Sequence, residues 1–426
     1  VDPVVRLASA LTALVILWPG TLGAEEKSRL PVTIHGFLMG NASLRTTGER
    51  PPRGEGGAFV LGEERLRLDV SGATKSGSGF LMFKGDIFHD AVANRVDGDL
   101  REAYAGFRIG RLDLRLGRQI VTWGVGDLFF INDVFPKDWE SFFSGRPMEY
   151  LKRGVDAARL QYSSEALNVD VVATPFFTAD ALPSPKRFFL YNPFSAVAEQ
   201  HQSTPPTRAE NTEMALRLYR RMVGFDVSLY GYRGFWRIPG AGMAPHNGTA
   251  QITRFHPRLV TWGASAQRNL LNGVVSFEGG RYNSLDDRGG SAPGVPNSQW
   301  RALAAYQRQL ARELTATFQG YAEVMEGYDR YRRSLPAGFA PEDRVRGVFS
   351  VRLNQFLRYQ TWRLLAFVAC SPTDKDCFVQ PEVSHRFSDR LSAAVGANIF
   401  NGKYETTFFG QMAKNDNVYL SVRFDF

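Results

Sequence analysis

Asn417-Val418-Tyr419-Leu420-Ser421-Val422-Arg423-Phe424-Asp425-Phe426 closes the chain with an apolar residue at every even position and Asn, Tyr, Ser, Arg and Asp at the odd ones. A period of two puts one set of side chains on each face of a strand. About ten residues of such alternation is the pattern of a strand crossing a bilayer in a closed barrel, apolar toward lipid and polar toward the lumen. The segment is the last of a series. Working back from it, the same alternation occurs near 390–400, 379–387, 359–368, 344–357, 312–324, 299–309, 270–280, 258–268 and 223–232. It continues through 211–221, 166–175, 152–163, 111–120, 98–109, 78–89, 59–72 and 32–45. The reading is an all-β, transmembrane antiparallel outer-membrane β-barrel of eighteen strands; sixteen follow if two weakly alternating segments, near 166–175 and 359–368, are not strands.

The connections alternate in length. Short links fall at 74–77, 110, 164–165, 222, 269, 311, 359 and 388–389, and longer ones at 46–58, 90–97, 121–151, 176–210, 233–257, 281–298, 325–343, 369–378 and 401–416. Short periplasmic turns, long extracellular loops and an even strand number are the signature of single-chain outer-membrane barrels. A soluble sandwich has no reason to sort its loops by length onto one end. An open sheet would leave an unpaired edge in hydrocarbon, where no water can satisfy it.

Composition agrees: 41 Gly, 32 Phe and 15 Tyr beside 51 Lys plus Arg suit many strands and turns, with no linker to divide the chain. The one apolar stretch, Leu7 to Trp18 after Arg6 and before Leu22-Gly23-Ala24, reads as a signal peptide spanning 1–24. A short periplasmic segment, 25–31, then leads into a single barrel domain, 32–426, with an inserted loop at 121–151. The expected location is the outer membrane of a Gram-negative cell. Cys370 and Cys377, close together in an exported chain, are expected to form a disulfide that staples a loop.

The polar phase of each strand defines the expected inner face. Pore-lining candidates are Glu63, Arg65, Arg67, Arg111, Arg115, Arg118, Arg217, Glu313, Arg346 and Arg352. Many of these charges serve cross-strand pairing, while the formal net charge of +8 favours anions in the lumen. The connection after 120 is aromatic for a loop in water, with Trp123, Phe129, Phe130, Phe135, Trp139, Phe142 and Phe143. It is expected to fold into the barrel as a constriction loop, with Trp123, Asp127, Phe135, Lys137, Asp138 and Trp139 shaping what remains of the passage. A second aromatic and proline-rich loop, around Pro175-Phe176-Phe177 and Phe188 to Phe194, is expected to pack on the first.

No catalytic set emerges: the six histidines have no metal-ligand spacing, and neither a nucleophile elbow nor a phosphate-cradling glycine loop is present. No cofactor, metal or enzymatic activity is expected, and the dispersed basic residues give no reason to expect nucleic acid. The glycine pairs Gly279-Gly280 and Gly289-Gly290 read as strand ends and turns.

The motif Arg115 to Gln119 followed by Trp123-Gly124, with the ending Ser384 to Ser392 and Gly396 to Gly402, resembles a proteobacterial group of porin-like outer-membrane proteins. A more distant likeness is to alginate-export and phosphate-selective porins. The resemblance implies a passive or partner-assisted outer-membrane channel, and the charged, basic lumen adds the expectation of passive passage of small hydrophilic, anionic solutes. The alternatives are transport of an amphipathic compound or an anionic polysaccharide, and a plugged barrel acting as scaffold or binding partner in an envelope complex. Expected partners are outer-membrane lipid and lipopolysaccharide, small solutes, a periplasmic or envelope protein, and the barrel-assembly machinery, which would engage the terminal strand ending in Phe426.

Overall fold

A computed structural model describes residues 31–426 apart from 53, 55, 56, 195, 196, 198, 247 and 248. The expected signal peptide, 1–24, and residues 25–30 of the expected periplasmic segment lie outside the described residues. In chain order the strands are β1 (Val32–Arg45), β2 (Phe59–Ala73), β3 (Gly79–Asp90), β4 (Arg95–Ile109), β5 (Leu112–Gln119), β6 (Val155–Tyr162) and β7 (Asn168–Thr174). Next come β8 (Glu199–Gln202), β9 (Glu213–Met222), β10 (Phe225–Phe235), β11 (Gly240–His246), β12 (Thr249–Phe255), β13 (Arg258–Leu270) and β14 (Gly273–Ser284). The last are β15 (Gln299–Ala311), β16 (Leu314–Met325), β17 (Val345–Leu357), β18 (Trp362–Ser371), β19 (Asp376–Arg386), β20 (Leu391–Gly402) and β21 (Asn417–Asp425). Two short helices, α1 (Trp139–Phe143) and α2 (Tyr328–Ser334), lie in connections.

Eighteen of these strands form one sheet in which each pairs antiparallel with the next barrel strand in the chain. The sheet closes: β1 pairs with β21 from Phe37 opposite Asp425 to Arg45 opposite Asn417, and Gly36 and Phe426 exchange both backbone hydrogen bonds. Closure leaves no edge unpaired, the condition for strands in lipid. The remaining three, β8, β11 and β12, make a small separate sheet among the connections, which the sequence reading did not anticipate.

The alternation sorts side chains as period two requires. Leu38, Leu229, Phe277, Phe349, Leu420 and Phe424 are exposed on the outer phase, while Phe37, Met39, Tyr230, Glu278, Val348 and Tyr419 are buried on the inner one. Eight turns of two to five residues gather at one end. Several need left-handed backbone: Leu271 and Asn272 both have positive φ, as do Val223 and Gly224, the geometry of a two-residue hairpin turn that matches strand twist. At the other end several strands extend further than the sequence suggested, β14 to Ser284 and β10 to Phe235 among them. The connections expected at 90–97 and 369–378 shrink to 91–94 and 372–375, because β3–β4 and β18–β19 keep pairing to Asp90 opposite Arg95 and Ser371 opposite Asp376. Cys370 and Cys377 face each other across β18 and β19 and are joined as a disulfide, so the bond ties a strand pair near its hairpin end rather than a long loop. Gly279 and Gly280 also depart from the reading, lying inside β14 rather than at its end.

Candidate functional site: the lumen and its inserted loop

The connection 120–154 runs inward. Its aromatic side chains make that favourable, because each finds an apolar partner on the wall or on its neighbours. Trp123 meets Phe135 edge-on at 5.1 Å, Phe129 stacks on Tyr321 of β16 at 5.2 Å, and Phe143 contacts Phe378 of β19 and Phe400 of β20 at 5.7 and 5.4 Å. Trp139, on α1, packs on Phe143 and on Phe408 of the connection before β21.

A peptide inside a barrel also brings backbone donors and acceptors that must be satisfied. Glu278 on β14 does much of this: Oε2 accepts from the amides of Val125 (2.7 Å) and Gly126 (3.1 Å), and Oε1 from the amide (2.8 Å) and side chain (3.0 Å) of Asn132. Gln319 on β16 accepts from the Asp127 amide and donates to its carbonyl, both at 2.8 Å. Arg352 on β17 grips the Asp127 carboxylate with two bonds, and Tyr282 donates its hydroxyl proton to the Ile131 carbonyl. Trp123 donates to Asp170 of β7 at 3.1 Å.

The far wall holds the other end of the loop. Arg146 pairs with Glu63 at 2.7 Å, Arg67 reaches Glu149 at 2.6 Å and the Tyr150 hydroxyl at 2.9 Å, and Asn398 and Asn417 both donate to the Phe143 carbonyl. The loop is thus fastened to β2 and to β7, β14, β16, β17, β20 and β21, on several sides of the barrel. Close approach is allowed where the wall lacks side chains. A Cβ at Gly263 would sit 2.1 Å from Asn132 Oδ1, and one at Gly280 would sit 3.2 Å from Ile131.

The candidate pore residues separate into distinct settings. Arg65 and Arg67 are buried under the loop, the latter 1% exposed, and share Glu63 and Asp86, so their guanidinium groups hold the fold rather than face water. Arg115 pairs with Asp113. Arg346 is shared by Glu323 and Asp374. Arg217 has no carboxylate partner among the described residues; it bonds Ser228 and lies over the rings of Tyr219 and Tyr230. Three candidates fall elsewhere. Arg111 and Glu313 are in short turns at the strand ends, because β5 starts at Leu112 and β16 at Leu314. Arg118 is an odd number of residues from Arg115 and so takes the opposite phase, that of Leu114 and Leu116, where it pairs with Asp156.

Within the loop, Trp123 and Phe135 are buried, and Lys137 is buried against Asp133 and the Phe135 carbonyl. Burial lowers the Lys137 pKa, against the pull of Asp133. Asp138 accepts from the Ser141 amide and caps α1. Asp127, paired with Arg352, is partly exposed, as are Asp138 and Trp139.

The second connection, 175–212, packs on the first. Asp180 accepts from the Lys137 amide (2.8 Å) and from Trp139 Nε1 (3.2 Å), and Glu140 accepts from the Ser184 amide (2.7 Å). Burial raises the pKa of both carboxyls. Above the two loops lies a cavity of about 1790 Å³, lined by Phe129, Trp139, Arg301, Glu323, Arg346 and Phe408 among others. Below the loop the inner wall changes character: Gln307 and Gln309 on β15 are exposed although they point inward, and Arg159, Thr315, Thr317 and Arg363 are partly so. Among the described residues no group of three His, Cys, Asp or Glu is placed to hold a metal ion.

Glu278, Asp170 and Asn398 were not singled out in the sequence, where a polar inward residue looks alike whether it meets water or a loop. The glycines opposite the loop were the available signal, since a glycine inside a strand marks close approach of another backbone.

The fold has solved counterparts. OccK9 (OpdG) of Pseudomonas aeruginosa aligns over 93% of this chain and 98% of its own, with 8% identity and a TM-score of 0.57. OccK2 (OpdF) of the same organism, in complex with glucuronate, gives 93% and 98%, 11% and 0.56. OccAB3 of Acinetobacter baumannii gives 93% and 99%, 9% and 0.55. At these identities the likeness is one of fold, that of outer-membrane porins. No protein-family model and no curated relative matches the sequence. The closed barrel with its apolar outer band belongs in the outer membrane of a Gram-negative cell, crossed by every barrel strand.

Proposed function

We propose that the chain is a passive channel for small hydrophilic solutes, with the connection 120–154 as its constriction. The observation that carries this reading is the exposure of inward polar side chains below the loop, Gln307 and Gln309 among them, opposite a large cavity above it. Water on both sides of a single inserted segment is the layout of a channel narrowed at one level. Selectivity follows from how the charges are matched. Most inward arginines share a carboxylate, so the anion preference is modest and rests on Arg217 and on the net basic excess. This matching also argues against a substrate borrowed from alginate-export or phosphate-selective porins, which would call for a barer arginine lining. Glucuronate, held by one structurally similar channel, is a suitable first anionic solute.

The test is swelling of proteoliposomes in sugars of graded size, together with the zero-current potential across a salt gradient. Swelling with small sugars and a potential of the sign for mild anion preference are expected. The loop's bonds to several sides of the wall favour a second reading, a sealed barrel serving as an envelope scaffold, and absence of swelling by folded protein would establish that reading over the channel.

A further inference from the structure

Arg220, Arg268 and Arg308 stand on the outer phase of β9, β13 and β15. The register fixes this: Arg220 lies across from Val227 and, through it, Ala266; Arg268 from Val275 and Tyr306; Arg308 from Gly273. On the same phase Leu216, Leu229 and Phe277 are exposed. The three arginines occupy one height, two residues before the end of β9, two before the end of β13 and three before the end of β15. All are exposed.

Their neighbours show that they are not simply beyond the membrane. Two residues nearer the turn on the same face come Met222, Leu270 and Leu310, exposed by 47%, 48% and 52%. Two residues the other way come Leu218, Ala266 and Tyr306. Each guanidinium is therefore set between apolar side chains at the periplasmic border of the hydrocarbon. The ion pairs among the described residues involve other cations, at this level Arg108 and Arg115 with Asp113, and Arg423 with Asp425. Arg268 lies over the Phe225 ring at 5.0 Å, which orients it but does not neutralise it. At comparable height elsewhere on the outer wall stand Ile34, Val70, Leu112, Leu364, Leu391 and Phe424.

A charge held at the edge of hydrocarbon is costly unless it reaches the interface and finds a counterion there. A guanidinium matches the oxygens of a phosphodiester in a two-bond fork. With alternate strands roughly 10 Å apart, the three cations span the footprint of lipid headgroups rather than converging on one small ion. We propose that this sector, β9 to β15, is a binding site for anionic glycerophospholipid of the inner leaflet, held through the headgroup phosphate.

The test uses the full-length protein in nanodiscs of phosphatidylcholine with a minority of phosphatidylglycerol, followed by gentle detergent transfer and native mass spectrometry. Retained phosphatidylglycerol is expected to fall about fivefold for each arginine changed to glutamine, the weight of one basic side chain at a membrane surface. Arg390→Gln, in an exposed turn elsewhere on the rim, should leave retention unchanged. Heat-modifiable mobility on gels confirms folding, and if the triple variant does not fold, Arg220→Gln, Arg268→Gln and Arg308→Gln decide the matter singly. Equal retention by folded variants and wild type overturns the site. So does a wild type that retains no phosphatidylglycerol but loses an oligomeric state on substitution, which would make the patch a contact between copies.

Discussion

Glu278 and Gln307 both point into the lumen from adjacent strands, and they meet opposite surroundings. Glu278, level with Leu303 on β15, is 4% exposed and spends both oxygens on the amides of an inserted loop. Gln307, four residues further along, faces open space. One wall thus serves two purposes over roughly 13 Å of strand. At the level of the inserted peptide, beneath the cavity, the half near the long connections behaves like a protein interior, with buried charges each matched to a partner. The half near the turns remains a wet, polar tube. What separates them is a single connection, so the contrast can be broken by acting on that connection alone.

Removing residues 125–150 and joining the ends with a short glycine-serine link should make the upper half resemble the lower, and conductance should rise several-fold while the barrel still resists denaturation until heated. Glu278→Ala is expected to do part of the same. It leaves the amides of Val125, Gly126 and Asn132 without their acceptor, a cost of about 2–3 kcal/mol to loop docking. Conductance should become larger and noisier, and limited proteolysis should cut within the loop. Glu278→Gln, which keeps one acceptor oxygen, should fall between.

Changing Cys370 and Cys377 together to serine should lower stability by about 1–2 kcal/mol in urea unfolding, since the bond joins strands already paired, and leave conductance unchanged. Arg217→Gln tests the wet half. Its cation has no carboxylate among the described residues, so the anion-to-cation permeability ratio should fall on the order of twofold at low salt, with little change in stability.

Acid provides the mildest probe. Burial raises the pKa of Asp180 above its ordinary 3.8 and of Glu140 above its ordinary 4.5. A carboxyl with a raised folded pKa takes up a proton on folding, so its burial costs least once it is neutral, and stability rises as pH falls through the folded value. The gain levels off below 4.5 and 3.8, where the unfolded groups protonate as well. The contact between the two loops should therefore hold or tighten on mild acidification, read as unchanged or slightly reduced conductance. An increase above pH 4.5 would show that these carboxyls support the contact as anions.

The barrel was legible because lipid on one side and water on the other impose a period of two on every strand, from Val32 to Phe426. The loop was legible from its aromatic residues, which have no place in bulk water. Its moorings were not. Glu278, Gln319, Asn398 and Asn417 obey the same inward phase as Gln307 or Thr317, and nothing local distinguishes a residue that will meet a peptide from one that will meet solvent. Arg118 shows the opposite failure: its charge suggested the lumen, while its parity, an odd step from Arg115, placed it outside. Arg111 and Glu313 were drawn into strands because a charged residue beside a turn continues the alternation by chance.

The account depends most on the loop narrowing the barrel without closing it. Single-channel recording of the purified, folded protein in planar bilayers tests this directly. Discrete steps well below those of the same barrel lacking residues 125–150 are predicted. Steps of equal size in both, or silence in the intact protein, would contradict it.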